Sequence, residues 1–177
     1  DYGLDLYAPQ TTLDEEGRRV MIAWVRMPKV TEDGWIGMFC TPRVVEVKNG
    51  HICFKMHPNI KSAYSRDISG TEEAPEDGYM AVFDLEEGAG ADIGGFRISR
   101  VNGRVKVDRT AVYPSFEGAH LVSETPVIAG TAHLEVLVDQ HLIEIYINDG
   151  EYVISNAVYG AGKQITTEGV DMVRLYG

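Results

Sequence analysis

Positive charge is scarce in this 177-residue chain: 16 Lys and Arg stand against 27 Asp and Glu, a formal net charge of −11. Nucleic-acid phosphates need a basic face, so nucleic acid is excluded as a partner and an anionic membrane surface is disfavoured. Long apolar runs are missing too, and none approaches the roughly 20 residues of a membrane-spanning helix. The opening DYGLDLYAPQ lacks the basic and apolar regions of a secretory signal. It also lacks an initiator Met and begins inside what reads as a strand, so the chain is expected to be a piece of something longer. No Asn-x-Ser/Thr glycosylation site occurs. Cysteine is nearly absent, with Cys40 and Cys53 alone and no C-x-x-C pair, which removes zinc-ribbon and thioredoxin chemistry. Closing the Asn49-Gly50 turn would pair Lys48 with His51 and Glu46 with Cys53, which leaves Cys40 too far along the strand for a bridge. Two free thiols suit a reducing compartment, and a cytoplasmic location is expected. His51, His57, His120, His133 and His141 show no ligand spacing, so neither a metal nor a cofactor is expected.

What is present is strand after strand. Arg19–Val25, Arg43–Val47, Ile52–Met56, Tyr79–Leu85, Gly95–Val101, Arg104–Asp108, Leu134–Asp139, Ile143–Asn148, Tyr152–Ser155 and Asp171–Tyr176 all read as strands. Asn49-Gly50, Asn102-Gly103 and Asp149-Gly150 mark tight turns between them. Only Pro58–Arg66 has room for a turn or two of helix. The glycine-rich 88–95 does not fit the dinucleotide fingerprint, because its third glycine falls one place late and no helix follows, so it reads as a hairpin loop. The acidic run 72–77 reads as a solvated loop. Short strands with turns between them predict an all-β sandwich or propeller rather than βαβ units.

Four segments resemble glycoside hydrolase family 32, in the family's order. DYGLDLYAPQ (1–10) resembles its Asp-Tyr/Phe-Gly-x-Asp-Phe/Leu-Tyr-Ala-Pro-Gln strand. RRVMIAWVRMP (18–28) is similar to its Arg-x-x-hydrophobic-Gly-Trp-Met strand, with Ala23 in the glycine position. GWIGMFCTPRVVEVKNGHI (34–52) resembles its Leu-Pro-Arg-Glu-Leu segment, with Thr41 and Val44 as departures. LEVLVDQHLIEIYINDGEYVISNAVY (134–159) resembles the sandwich hairpin Val-Asp-x-Ser-x-Ile-Glu-Ile-Phe-hydrophobic-Asn-Asp-Gly, with His141-Leu142 replacing the serine pair. The resemblance implies an all-β fold: the last blade of a five-bladed β-propeller over 1–57, then a C-terminal β-sandwich over 58–177.

It also implies retaining hydrolysis of β-fructofuranosides, which needs two carboxylates about 5 Å apart. The family carries them in Asn-Asp-Pro-Asn-Gly and Glu-Cys motifs, with a further Asp in Arg-Asp-Pro. None occurs here: Asn148-Asp149 runs into Gly150, Arg66-Asp67 into Ile68, and neither cysteine follows Glu. The chain alone is therefore expected to be non-catalytic, with the propeller blades that precede it in the enzyme as its partner and sucrose, sucrose 6-phosphate or fructan as the substrate of the whole. Asp5, Tyr7 and Trp24 are the substrate-binding candidates the resemblance leaves. A carboxylate accepts paired hydroxyls and an aromatic face covers sugar C–H surface. Packing between blades or anchoring a turn would account for the same residues, and Trp35 reads as a loop or interface aromatic. A fructan-binding sandwich module competes with the fructosidase reading, but has no use for blade strands. A blade without its neighbours exposes strand edges and apolar faces. Residues 1–57 are thus expected to pack abnormally on the sandwich or to drive self-association.

Overall fold

A computed structural model describes residues 1–71, 73–76 and 78–177; Glu72 and Asp77, the two ends of the acidic run, lie outside the described residues. The first sheet is a meander of β1 (Leu6–Leu13), β2 (Arg19–Val25), β4 (Arg43–Lys48) and β5 (His51–Met56), with the two-residue β3 (Met38–Phe39) against β2. Asn49 and Gly50 have φ of 52° and 77°, and their turn pairs Lys48 with His51 and Glu46 with Cys53. Both cysteines are free and buried. A short helix, α1 (Pro58–Ala63), follows. It begins with proline at its first turn and is capped by the His57 ring nitrogen, which accepts the Asn59 amide. Among the described residues, no helix is long and apolar enough to cross a membrane.

The remaining strands are β6 (Tyr79–Leu85), β7 (Gly90–Ile93), β8 (Phe96–Val101), β9 (Arg104–Asp108), β10 (Val122–Glu124), β11 (Ala132–Asp139), β12 (Leu142–Ile147), β13 (Tyr152–Ala157), β14 (Ile165–Glu168) and β15 (Arg174–Tyr176). They form two antiparallel sheets, ordered β10-β9-β8-β7-β14 and β13-β12-β11-β6-β15. The inward residues of both sheets make one hydrocarbon core, including Phe83, Phe96, Ile98, Val107, Leu134, Ile143, Ile145 and Ile147. Each fully buried aliphatic side chain in it is worth about 1.5–3 kcal/mol.

The second of these sheets is buried on both faces, because the first sheet packs across its back. Every residue of β12 is buried. Ile143, Ile145 and Ile147 face the sandwich core, whereas Leu142 and Tyr146 belong to separate clusters shared with the first sheet. One such cluster joins Ala23, Val25, Met27 and Cys40 to Leu142 and Ala157; the other joins Met56 to Met80, Leu137, Tyr146 and Val153.

Three expectations need correction. The chain does not open inside a strand: β1 starts at Leu6, and residues 1–3 run beside β13, where the Tyr2 amide donates to the Val153 carbonyl at 2.7 Å. The glycine-rich 88–95 is not one loop, because Gly90–Ile93 pairs with both β8 and β14 and buries Ala91 and Ile93. Its small residues hide a period-two pattern only four residues long. The last strand is confined to Arg174–Tyr176, and β10 and β14, short and mostly polar, carry too little apolar alternation to be read from sequence.

Candidate functional site

Strand pairing in the first sheet sets Tyr7 opposite Trp24, and Trp24 opposite Phe39. The three form a row across β1, β2 and β3 and are 55%, 44% and 69% exposed. The Tyr7 and Trp24 rings meet edge to face at 6.1 Å, and the Arg26 guanidinium lies 5.1 Å over the Tyr7 ring. Immediately after Tyr7 the pairing register shifts, and Ala8 takes a left-handed φ of 48°. A bulge of this kind re-aims the side chains around it. The row is amphipathic, with ring faces for apolar C–H surface and a phenol, an indole N–H and a guanidinium for hydroxyls.

Asp5 points the other way. Its carboxylate is buried, receives the two terminal nitrogens of Arg109 from the sandwich, and accepts the Ala157 amide at 2.8 Å. Arg109 is itself buried, stacks 3.5 Å from the Tyr113 ring centroid, and donates to the His120 and Ala157 carbonyls. The structure therefore brings Tyr7 and Trp24 together on the outward face of the sheet and places Asp5 in a charge pair between the sheet and the sandwich.

A second buried ionic cluster lies on the same seam. Arg43 of β4 donates to Asp1 at 2.6 Å, to Glu144 of β12 at 2.5 Å and to the Ser155 hydroxyl. Glu144 also accepts the Thr41 amide at 3.0 Å and the Thr41 hydroxyl, and the Ser155 hydroxyl spans Asp1 and Glu144. Burial alone would lower the Arg43 pKa, but the Glu144 charge and hydrogen bond together with the neighbouring Tyr146 and Cys40 outweigh it and hold the guanidinium above its ordinary value. Burial raises the Tyr146 phenol, and the Glu144 charge adds to the effect. Two carboxylates share one guanidinium here, yet Glu144 is fully buried and the Asp1 side chain is only 6% exposed. No glycosidic bond can reach between them, so the cluster is a fastening and not an acid–nucleophile pair.

Gly3 shows how closely the segments approach. A Cβ at this position would stand 1.9 Å from the Ser155 carbonyl oxygen, so no other residue fits without moving β13. Trp35 sits in the loop after β2 and meets His141 of the sandwich edge to face at 5.3 Å, an interface aromatic as expected. No group of His, Cys, Asp and Glu side chains among the described residues could hold a metal ion. Sequence reasoning missed Arg43, Arg109 and Glu144. For Glu144 there was a signal, since a charge in the middle of an otherwise apolar LIEIYI strand has to be paired if that strand is buried.

Family models match both parts of the chain: the "Glycosyl hydrolases family 32 N-terminal domain" over residues 1–58 and "Glycosyl hydrolases family 32 C terminal" over 79–173. The chain belongs to glycosyl hydrolase family 32. Sucrose-6-phosphate hydrolase of Vibrio alginolyticus is 25% identical over 192 residues, an alignment covering 99% of this chain and 39% of that protein. Raffinose invertase of Escherichia coli is 27% identical over 186 residues, covering 90% of this chain and 38% of that protein. This family 32 chain thus spans about two fifths of the length of these curated relatives. Among solved structures, the sucrose-6-phosphate hydrolase of Lactobacillus gasseri superposes with a TM-score of 0.82 at 19% identity, over 100% of this chain and 42% of that one. Fructan 1-exohydrolase IIa of Cichorium intybus gives 0.75 at 15% identity, over 100% and 48%. The superposition extends over the whole chain, so the fold is that of a propeller blade followed by a sandwich. The blade's packing on the sandwich is shared with these enzymes, which corrects the expectation of abnormal packing.

Proposed function

We propose that this chain forms the final propeller blade and C-terminal sandwich of a β-fructofuranosidase acting on sucrose, sucrose 6-phosphate or a fructan. In this reading the division falls at His57, between β5 and α1, and the catalytic carboxylates stand on blades outside these 177 residues. The contribution of the chain itself is structural: it closes the propeller and braces it with the sandwich. Tyr7 and Trp24 contribute a stretch of wall facing the sugar, and Asp5 holds that wall to the sandwich. The observation that carries the proposal is the doubly fastened seam, in which the blade's Asp5 and Arg43 are buried against the sandwich's Arg109 and Glu144. A binding module that worked alone would have no need of a blade fixed in this way. Two free, buried thiols support a cytoplasmic enzyme.

The test has two arms. The isolated chain, assayed on sucrose, sucrose 6-phosphate and inulin, should release no fructose; turnover would overturn the non-catalytic role. In the whole enzyme, Tyr7→Ala and Trp24→Ala should each raise KM by about tenfold, the loss of roughly 1.4 kcal/mol of ring contact. Unchanged kinetics would remove both residues from the sugar wall. Tight binding of inulin to the isolated chain would favour the binding-module reading instead. The exposed aromatic row should also make the isolated chain self-associate, which sedimentation across a dilution series would reveal.

A further inference from the structure

We infer that Arg109, a sandwich residue, is the positioning residue for the Tyr7–Trp24 pair on the blade. This rests on the reading of that pair as sugar-facing. The path between them is a series of direct contacts. The Arg109 fork grips both oxygens of Asp5, and the Ala157 amide fixes one of them at 2.8 Å. The Asp5 carbonyl then accepts the Arg26 amide at 3.0 Å, one step beyond the last β1–β2 pair, Leu6 with Val25. Arg26 covers the Tyr7 ring, and Tyr7 meets Trp24.

Position along the strand gives this path its purpose. Tyr7 lies between the anchored Asp5 and the bulge at Ala8. A left-handed non-glycine residue costs about 1–2 kcal/mol, so the bulge can relax by slipping register unless something holds its N-terminal side. A slip of one residue would turn Tyr7 to the opposite face. Asp5 is where the strand is held, and Arg109 holds Asp5. The guanidinium is suited to this: its planar fork fixes the carboxylate's orientation, and its remaining donors are tied to the His120 and Ala157 carbonyls.

The seam contains its own control, because Arg43–Glu144 is an equally buried pair that meets the N-terminal segment at Asp1, four residues before Asp5, and makes no bond to Asp5 or Arg26. In the 177-residue chain with Trp35→Phe, so that Trp24 is the sole indole, Asp5→Leu with Arg109→Met replaces the first pair by apolar groups. Arg43→Met with Glu144→Met does the same for the second, with Asp1→Asn added because that guanidinium also serves Asp1. Apolar replacement of a whole buried pair is often neutral for folding, so both variants should remain folded. Hydrogen exchange at the Arg26 amide should accelerate by about tenfold in the first variant and by less than about twofold in the second. Acrylamide quenching of Trp24 should rise in the first alone. Arg109→Lys keeps the charge but not the fork, and should fall between the parent and the double variant. Equal effects from the two pairs, or an unmoved Arg26 amide and indole in the first, would overturn the assignment.

In the whole enzyme, the Asp5/Arg109 variant should raise KM as Tyr7→Ala does while sparing kcat. Should Tyr7→Ala leave KM unchanged while the Arg26 amide and Trp24 still respond to the Asp5/Arg109 variant, the sugar-facing reading falls and the positioning role stands.

Discussion

Replacing Arg43 by alanine tests how far the blade depends on its ionic fastening. The Arg43 side chain is fully buried, and its two terminal nitrogens serve Asp1, Glu144 and Ser155. Truncation leaves the Glu144 carboxyl without its guanidinium in a space with no solvent access, with Thr41, Tyr146 and Ser155 as its remaining donors. Removing one partner of such a buried pair costs about 3–5 kcal/mol, a large part of the 5–15 kcal/mol that holds a typical domain. In a chain of this size each kcal/mol moves the midpoint by about 2–4 °C, so the melting temperature should fall by about 6–20 °C. Thermal melts followed by circular dichroism, with urea titrations at 25 °C, measure both quantities. Arg43→Met with Glu144→Met and Asp1→Asn should cost far less than Arg43→Ala alone, because no carboxylate is left without its guanidinium. The sign of the pH dependence follows from the raised Arg43 pKa. A raised group stabilises below its unfolded pKa and loses that contribution only as pH passes its folded value. The guanidinium range lies above about 12, so the pair should hold across all ordinary alkaline conditions. An Arg43→Ala melt within about 2 °C of the parent, less than the shift expected for 1 kcal/mol, would refute the reasoning by showing that Glu144 does not depend on the guanidinium.

Alkaline loss of stability should come from a phenol instead. Burial pushes Tyr79 up to about 12, so its contribution is complete below the ordinary phenol value near 10 and drains away as pH rises toward 12, by up to ~1.4 kcal/mol per pH unit. Its hydroxyl has no partner among the described residues, and Tyr79→Phe should flatten melting temperature against pH in that window at little cost. On the acid side, burial would raise Asp14, but hydrogen bonds from Arg18 and His57 and the Arg18 charge together outweigh it and hold the carboxyl at about 2. That contribution is present above pH ~4 and lost as pH falls through about 2, so Asp14→Asn should flatten the acid limb. Gly150 has φ +81°, and a Cβ there would stand 2.3 Å from the Phe54 carbonyl oxygen, beside the 2.8 Å bond from the Phe54 amide to Gly150. Gly150→Ala should therefore open the β5 end of the seam, read as faster exchange of the Phe54 amide.

The parts of the fold legible in the sequence were those set by local chemistry. Asn49-Gly50 and Asn102-Gly103 both adopt the paired positive φ their composition asks for, and each fixes a hairpin register. The central strand β6 was legible from a short apolar run, and β11 and β12 from period-two alternation. What stayed hidden was long-range. Asp5 and Arg109 are 104 residues apart, and nothing near either one names the other. Asp5 was visible as a distinctive residue of its strand, but its side of the sheet depends on the bend at residues 3–5, which no periodicity reveals. Tyr7 and Trp24, by contrast, follow from the β1–β2 turn once the bulge is known. Strand β7 was lost because glycine and alanine dilute a four-residue signal.

The two-faced burial of β12 has a consequence for how the chain reaches this fold. Its odd-numbered positions 143, 145 and 147 are isoleucines committed to hydrocarbon, and its even-numbered Glu144 and Tyr146 are committed to the Arg43 network. A pairing error of one residue would carry Glu144 into the hydrocarbon and set isoleucine against a guanidinium. In an all-apolar central strand such an error would be nearly silent. Here a single carboxylate penalises it on both faces at once, so the docked blade admits one alignment of β12.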